Sequence, residues 1–132
     1  MPFARLILHP AHAPDTTSRL AADLTSAIAK DLGKRHDLTS ILIETPAAAH
    51  WTIGAGDREV AAHLEVCVTA GTNNEEEKRT FVRNAMALLR RALPTLAEAT
   101  YVVVMELPAA NWGYDGRTQA DRAIGLVPPG SA

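Results

Sequence analysis

Residues 39–51, TSILIETPAAAHW, return in altered form as residues 101–112, YVVVMELPAANW. Each copy is a short apolar run that stops at a proline and continues through alanines to a tryptophan, and Pro46 and Pro108 lie 62 residues apart. A short apolar run closed by a breaker reads as a buried strand, so the repeat predicts the closing strands (39–44 and 101–107) of two like units. Upstream of the first copy, residues 2–8 (PFARLIL) form a further run of this kind before the breaker HPAHAP. Between the two runs Leu20, Leu24 and Ile28 recur every fourth position, which is one face of a helix. Asp15 or Thr16 is placed to cap that helix and Gly33 to end it. Upstream of the second copy, residues 64–70 (LEVCVTA) alternate as a strand does, and Thr72-Asn73-Asn74-Glu75 has capping-box spacing. Phe81, Ala85, Leu88, Leu89 and Ala92 then mark a helix face that Pro94 closes.

Strand, helix, strand in each half, with a long crossover, predicts parallel pairs joined by right-handed connections. The expected architecture is α/β (α+β): two β-α-β repeats forming a four-stranded sheet with both helices on one face. Repeat one spans 2–62 and repeat two 63–124, leaving a tail at 125–132, all within a single domain of 1–132. The uncovered face must find a partner, and oligomerisation supplies one. A ferredoxin-like domain has the same element order but prefers a tight hairpin between its second and third strands. The connection here, 45–63, carries Pro46, Trp51, Gly54 and Gly56 and is long for a hairpin.

With 132 residues the chain is the size of one ordinary domain, and 47% hydrophobic against 21% charged residues marks it as globular. A net charge of −2 gives no basic surface for nucleic acid or acidic lipid, so neither nucleic acid nor membrane is an expected partner. The single cysteine, Cys67, sits in an apolar strand as a buried thiol and has no partner in the chain for a disulfide, which fits a reducing compartment. Residues 3–8 are too short an apolar run for a signal peptide or a membrane span, and a cytoplasmic location is expected. His9, His12, His36, His50 and His63 show no metal-ligand spacing, and no metal or other cofactor is expected.

The chain begins Met1-Pro2, a pair from which the initiator methionine is normally cleaved because proline is small. Cleavage exposes a secondary amine that no internal residue can supply. A free α-amino group titrates at roughly 7.7–8.0, and burial or a nearby cation lowers that, which makes a competent general base near neutrality. The plainer role for such a proline is to start a strand.

The succession Pro2, apolar strand, helix, Leu38-Thr39-Ser40 and then His50-Trp51-Thr52-Ile53-Gly54 resembles the 4-oxalocrotonate tautomerase family, which carries a similar Leu-Thr-Ser strand and a His-Phe-Gly-Ile-Gly hairpin. In the second half, Ala109-Ala110-Asn111-Trp112-Gly113 resembles the Ala-Ala-Asn-Val-Gly segment of macrophage migration inhibitory factor, and Tyr101 matches the aromatic of its pocket. The whole chain is thus similar to a fused pair of short tautomerase units. The resemblance implies a homotrimer with pockets at subunit borders, no cofactor, a proline base, and proton transfer between the enol and the α-carbon of a small 2-oxo or 2-hydroxy-dienoic acid. Only the first unit can offer a free amine, since His63 stands near the place of a second proline.

Enolisation builds negative charge on oxygen, so the site needs a donor or a cation. The short tautomerases use an arginine on the second strand and another just after the first. Here neither 39–45 nor 100–107 contains one, and His12 lies near the second of these places. Lys34, after Gly33, matches the pocket lysine of the migration inhibitory factor; a lysine there also complements the helix dipole. Arg117, after the second tryptophan, is a further cation, and Tyr101 a hydrogen-bond donor to the enolate. Trp51 would wall the pocket, Ala70 at the end of the third strand would touch substrate, and Trp112 would anchor an interface. Glu75, Glu76 and Glu77 belong to a helix N-terminus, where the dipole favours them. Within the resembled superfamily, decarboxylases and dehalogenase-hydratases rely on arginines after the third strand, and Ala70-Gly71-Thr72-Asn73-Asn74 has none. A non-catalytic trimeric binding module is the remaining alternative.

Overall fold

The computed structural model describes residues 2–47 and 50–127. Met1, Ala48 and Ala49 of the first Pro-Ala-Ala segment, and tail residues 128–132 lie outside the described residues. The chain forms β1 (Phe3–His9), α1 (Pro14–Leu32), β2 (Ser40–Glu44), a small hairpin of β3 (Thr52–Ile53) and β4 (Gly56–Asp57), then β5 (Ala61–Thr69), α2 (Glu75–Ala92) and β6 (Tyr101–Leu107). A second hairpin of β7 (Gly113–Tyr114) and β8 (Arg117–Thr118) leads into the short α3 (Gln119–Ala123). Each half is therefore strand, helix, strand, as expected, and each is followed by a small hairpin.

β1 and β2 pair in parallel, as do β5 and β6, and the two halves join through an antiparallel β1–β5 pairing, giving the sheet order β2-β1-β5-β6. β2 and β5 are not neighbours, so the chain is not ferredoxin-like. β5 begins at Ala61, three residues before the apolar alternation does, because its first residues still pair with Leu8 and His9. The expected boundary between repeats at 62/63 thus falls inside a strand.

Strand alternation decides the two faces. Ala4, Leu6 and Leu8 of β1, with Leu64, Val66 and Val68 of β5, point at the helices and are buried. They meet Leu20, Leu24, Ile28 and Leu32 of α1 and Phe81, Ala85, Leu88 and Leu89 of α2 in one core. Each such aliphatic or aromatic side chain contributes about 1.5–3 kcal/mol on full burial. Asn84 of α2 donates to Asp31 of α1 at 3.0 Å, fixing one helix against the other. The opposite sheet face carries Phe3, Leu42, Met105 and Tyr101, all exposed, together with the Arg5–Glu44 ion pair. That pair holds the Glu44 carboxyl below the usual carboxylate range, chiefly through the hydrogen bond from Arg5. Cys67 lies on this face and is half-buried rather than fully buried; desolvation pushes its thiol up. No described helix is long and apolar enough to cross a membrane.

Two helix starts differ from the sequence reading. α1 is entered through Ala13 with Pro14 at its first position, so Asp15 and Thr16 fall inside the first turn instead of capping it. Proline is preorganised for that position and lacks the N–H that would otherwise go unpaired. The capping box of α2 is Asn74 with Glu77, two residues beyond Thr72 with Glu75: Glu77 N–H donates to Asn74 Oδ1 at 2.8 Å and Asn74 N–H to Glu77 Oε1 at 2.9 Å. Gly33 ends α1 as expected, at φ +65°, a left-handed conformation that glycine takes without Cβ strain. Gly113 is constrained differently, since a Cβ there would stand 1.9 Å from the Arg117 carbonyl oxygen across the β7–β8 hairpin.

Candidate functional site

Pro2 lies at the N-terminal end of β1, where its carbonyl accepts a hydrogen bond from Ser40 N–H at 3.2 Å. Phe3 pairs with Cys67, so the register carried on by one residue sets Pro2 across from Val68, beside Thr69 and Ala70. Pro2 is buried, on the helix side of the sheet. α1 runs back along β1 and ends at this same edge, where the left-handed Gly33 brings Lys34 over the end of β5. Lys34 Nζ donates to Thr72 Oγ1 at 2.7 Å, and Thr72 Oγ1 in turn donates to the Thr69 carbonyl at 2.6 Å. Burial pushes the Lys34 ammonium below its ordinary value, and the more distant Glu77 and Glu106 oppose that shift. Glu106 is already held by Lys78 at 2.7 Å and by the Gly71 N–H, which keep its carboxyl below the usual range. Among the described residues no carboxylate lies within ion-pair distance of Lys34.

Around Lys34 opens a cavity of about 600 Å³ whose wall includes Ala70, Thr72, Tyr114, Gln119 and Arg122. Its charged lining residues are Lys34, Arg35 and Arg122, all cations; of these Arg35 is paired with Asp37 at 2.7 Å. The Arg122 guanidinium lies over the Tyr114 ring, 3.6 Å from its centroid, and donates from Nη2 to the Tyr114 carbonyl at 3.0 Å. A cavity walled by uncompensated cations and N–H donors suits an anion.

Pro2, Lys34 and Ala70 are therefore gathered at one edge of the sheet. His12, Trp51 and Tyr101 are at the other. His12 follows the C-terminal end of β1, with Nδ1 2.8 Å from the Pro10 carbonyl. Trp51 and Tyr101 line a smaller cavity of about 340 Å³ with His63, whose Nε2 is 3.0 Å from Glu65 Oε1. Tyr101 pairs with His63, which pairs with Ile7, and Ile7 is some five residues or about 17 Å from Pro2 along a strand. Within one chain these three cannot reach the Lys34 cavity. Arg117 faces elsewhere too: its Nε and Nη2 donate to the Leu126 carbonyl at 3.1 and 2.7 Å. Trp112 is half-buried, with an indole N–H that finds no partner among the described residues.

The sequence reading missed Tyr114, Gln119 and Arg122. The available signal was Thr118 followed at i+1 and i+4 by Gln119 and Arg122, a cap and one face of a short helix. The place in repeat two that corresponds to the Lys34 cavity, between the end of α2 and the β3–β4 hairpin, is an open cleft of about 760 Å³. It is lined by Asp57, Glu59 and Glu98 with one cation, Arg58, so its charge is of the opposite sign. Among the described residues no three His, Cys, Asp or Glu side chains are placed to hold a metal ion.

No protein-family model and no curated protein matches the sequence. Solved structures do match its fold. Pt0534 inactivated by 2-oxo-3-pentynoate superposes with a TM-score of 0.82 at 14% identity, over 93% of this chain and 98% of that one. A fused 4-OT solved as a symmetric trimer gives 0.81 at 18% identity, over 89% and 96% of the two chains. The macrophage migration inhibitory factor-like protein of Entamoeba histolytica gives 0.75 at 17% identity, over 89% and 97%. The fold is that of the tautomerase superfamily. The match to a fused 4-OT over nearly the whole length of both chains accounts for the internal repeat: the tautomerase fold is completed here by two β-α-β units in one chain.

Proposed function

We propose that this protein is a cofactor-independent keto-enol tautomerase acting on a small 2-oxo or 2-hydroxy-dienoic acid, with the amine of Pro2, freed by loss of Met1, as general base. The observation that carries this reading is the cationic cavity near the Pro2 end of β1, where Lys34 is partly desolvated and, among the described residues, has no carboxylate within ion-pair distance. Such a lysine stabilises an oxyanion as it forms, while a neutral amine nearby moves the proton. The reaction then needs only two steps: Pro2 nitrogen takes the enol proton, and the resulting prolinium returns a proton to carbon. The corresponding cleft in repeat two has acidic walls and no N-terminal amine, which supports one site per subunit.

Trimeric assembly is part of the proposal. The uncovered sheet face presents Phe3, Leu42 and Met105, and a fused 4-OT with this fold is a symmetric trimer. Tyr101, 70% exposed here, and Trp51 cannot reach the Lys34 cavity of their own chain, and a trimer would leave them free to wall that of a neighbour. Sedimentation at micromolar concentration should give a single species of three chains, and a stable monomer would refute the assembly. The cytoplasm is the proposed location, consistent with an unpaired Cys67.

Because Pt0534 is inactivated by 2-oxo-3-pentynoate, that compound is a direct probe of the proposed base. A nucleophilic secondary amine adds to the alkyne carbon remote from the ketone, forming one N–C bond while the N–H proton moves to the adjacent carbon, so the adduct retains the whole inhibitor mass. Peptide mass spectrometry after incubation should find one equivalent of label on residue 2. Label confined to Lys34 or Cys67, or none at all, would count against Pro2 as a free, nucleophilic amine.

A further inference from the structure

Two planar guanidinium groups line the Lys34 cavity, and that of Arg35 is taken by Asp37. The other belongs to Arg122, and its surroundings fix its orientation. Thr118 Oγ1 accepts from Asp121 N–H at 3.0 Å and so sets where α3 begins. Gln119 and Arg122 consequently fall at i and i+3, on one helix face, and both line the cavity. At the far side of α3 the Leu126 N–H donates to the Asp121 carbonyl at 2.8 Å, while Arg117 grips the Leu126 carbonyl, so the helix is tied at both ends. The guanidinium is then held flat by the Tyr114 ring beneath it and by the single bond from Nη2 to the Tyr114 carbonyl.

That arrangement leaves donors over. A guanidinium has five N–H groups, and among the described residues Arg122 Nε is buried with no acceptor. Gln119 Nε2 is in the same condition. Buried donors without acceptors are costly, and here two of them belong to neighbouring residues of one cavity wall. Among the described residues no carboxylate pairs with Arg122; of the cavity's other two cations, Arg35 is paired with Asp37 and Lys34 is not paired. A planar fork matches a carboxylate with two parallel hydrogen bonds, whereas an ammonium is suited to one developing oxyanion.

We infer that Arg122, assisted by Gln119, is the carboxylate anchor of this cavity, and that it makes the protein prefer 2-oxo acids to their uncharged esters. The inference rests on the tautomerase reading for its substrate but not for its binding geometry. It assigns the role that strand arginines would otherwise play to a residue beyond the second hairpin, and it leaves Lys34 for the enolate oxygen.

The test compares Arg122→Gln and Arg122→Lys with the unaltered protein on phenylenolpyruvate and on its methyl ester. A parallel calorimetric titration uses benzoylformate, a 2-oxo acid with no proton on the carbon beside its ketone. The acid-over-ester ratio of kcat/KM should fall roughly 10- to 100-fold in both variants, mainly through KM, as expected for a charge-assisted bidentate contact. Benzoylformate should weaken by a similar factor. An equal loss for acid and ester would mark Arg122 as a structural residue and overturn the inference, as would an unchanged ratio. If the unaltered protein binds benzoylformate through Arg122 yet turns over no enol, the anchor stands and the tautomerase reading falls. If it turns over the acid while the ratio ignores Arg122, the reverse holds, and failure both to bind and to turn over would sink both.

Discussion

A protein that keeps Met1 should turn over enols at least about 10²- to 10⁴-fold more slowly than the processed protein, the range that general-base catalysis supplies. With Met1 in place the Pro2 nitrogen is an amide, its lone pair delocalised into the carbonyl, and it cannot take a proton. Nothing else about the site need change, because the Pro2 carbonyl still accepts from Ser40 N–H and β1 still pairs on both sides. A form of the protein that resists the aminopeptidase isolates the chemistry from the fold, and intact mass verifies which form is in hand. In the processed protein the acid limb of kcat/KM should report the Pro2 amine below its free reference of roughly 7.7–8.0, since burial and the Lys34 charge both disfavour the protonated form. Pro2→Ala is a softer change, because a primary amine remains. Equal rates with and without Met1 would leave Pro2 as no more than the first residue beside a strand.

The parts legible in the sequence are those governed by local periodicity. Fourfold spacing of Leu20, Leu24 and Ile28 and alternation in 64–70 are direct records of which face is buried, and the structure buries those faces. Parallel pairing followed from the crossover lengths. What the sequence hid was competition between near-equal local choices. Thr72 and Asn74 are each followed three residues later by a glutamate, but the Thr72 hydroxyl is taken by the Thr69 carbonyl and Lys34, so Asn74 is left as the cap. Lys34 was readable because Gly33 marks the helix end next to it. Arg122 was not, since its place depends on the β7–β8 hairpin folding back to set Tyr114 under it. Arg117 follows the second tryptophan and reads from the sequence as a further cation, yet its side chain is used in tying the chain after α3. His12, Trp51 and Tyr101 were grouped with Pro2 through resemblance alone, and the antiparallel β1–β5 pairing sends them to the opposite sheet edge of their own chain.

Replacing Lys34 by alanine should lower kcat/KM by roughly 10²- to 10³-fold, the loss that follows removal of one oxyanion stabiliser, and should act mainly on kcat. The reason lies in what surrounds the ammonium. Among the described residues its one hydrogen bond is to the Thr72 hydroxyl, its carboxylate neighbours Glu77 and Glu106 are engaged elsewhere, and Arg35 is paired with Asp37. The charge is therefore available to a substrate oxygen, and desolvation makes each such contact stronger than it would be in water. Desolvation also moves the group's titration downward from its ordinary 10.5, and the direction of the consequence is fixed. Only the protonated amine stabilises an enolate, so kcat/KM should fall as pH rises through the lowered Lys34 value, giving an alkaline limb below that of a free lysine. Together with the rising limb from Pro2 the profile should be bell-shaped. In Lys34→Ala the alkaline limb should vanish while the acid limb shifts upward, because the Pro2 amine loses a neighbouring positive charge. Thermal unfolding should be little changed, since α1 is ended by Gly33 and by the bond from Asn73 to the Leu32 carbonyl at 2.9 Å, neither of which involves Lys34. A Lys34→Ala protein with normal turnover and an unaltered pH profile would remove the lysine from the chemistry and leave the cavity's charge to Arg122.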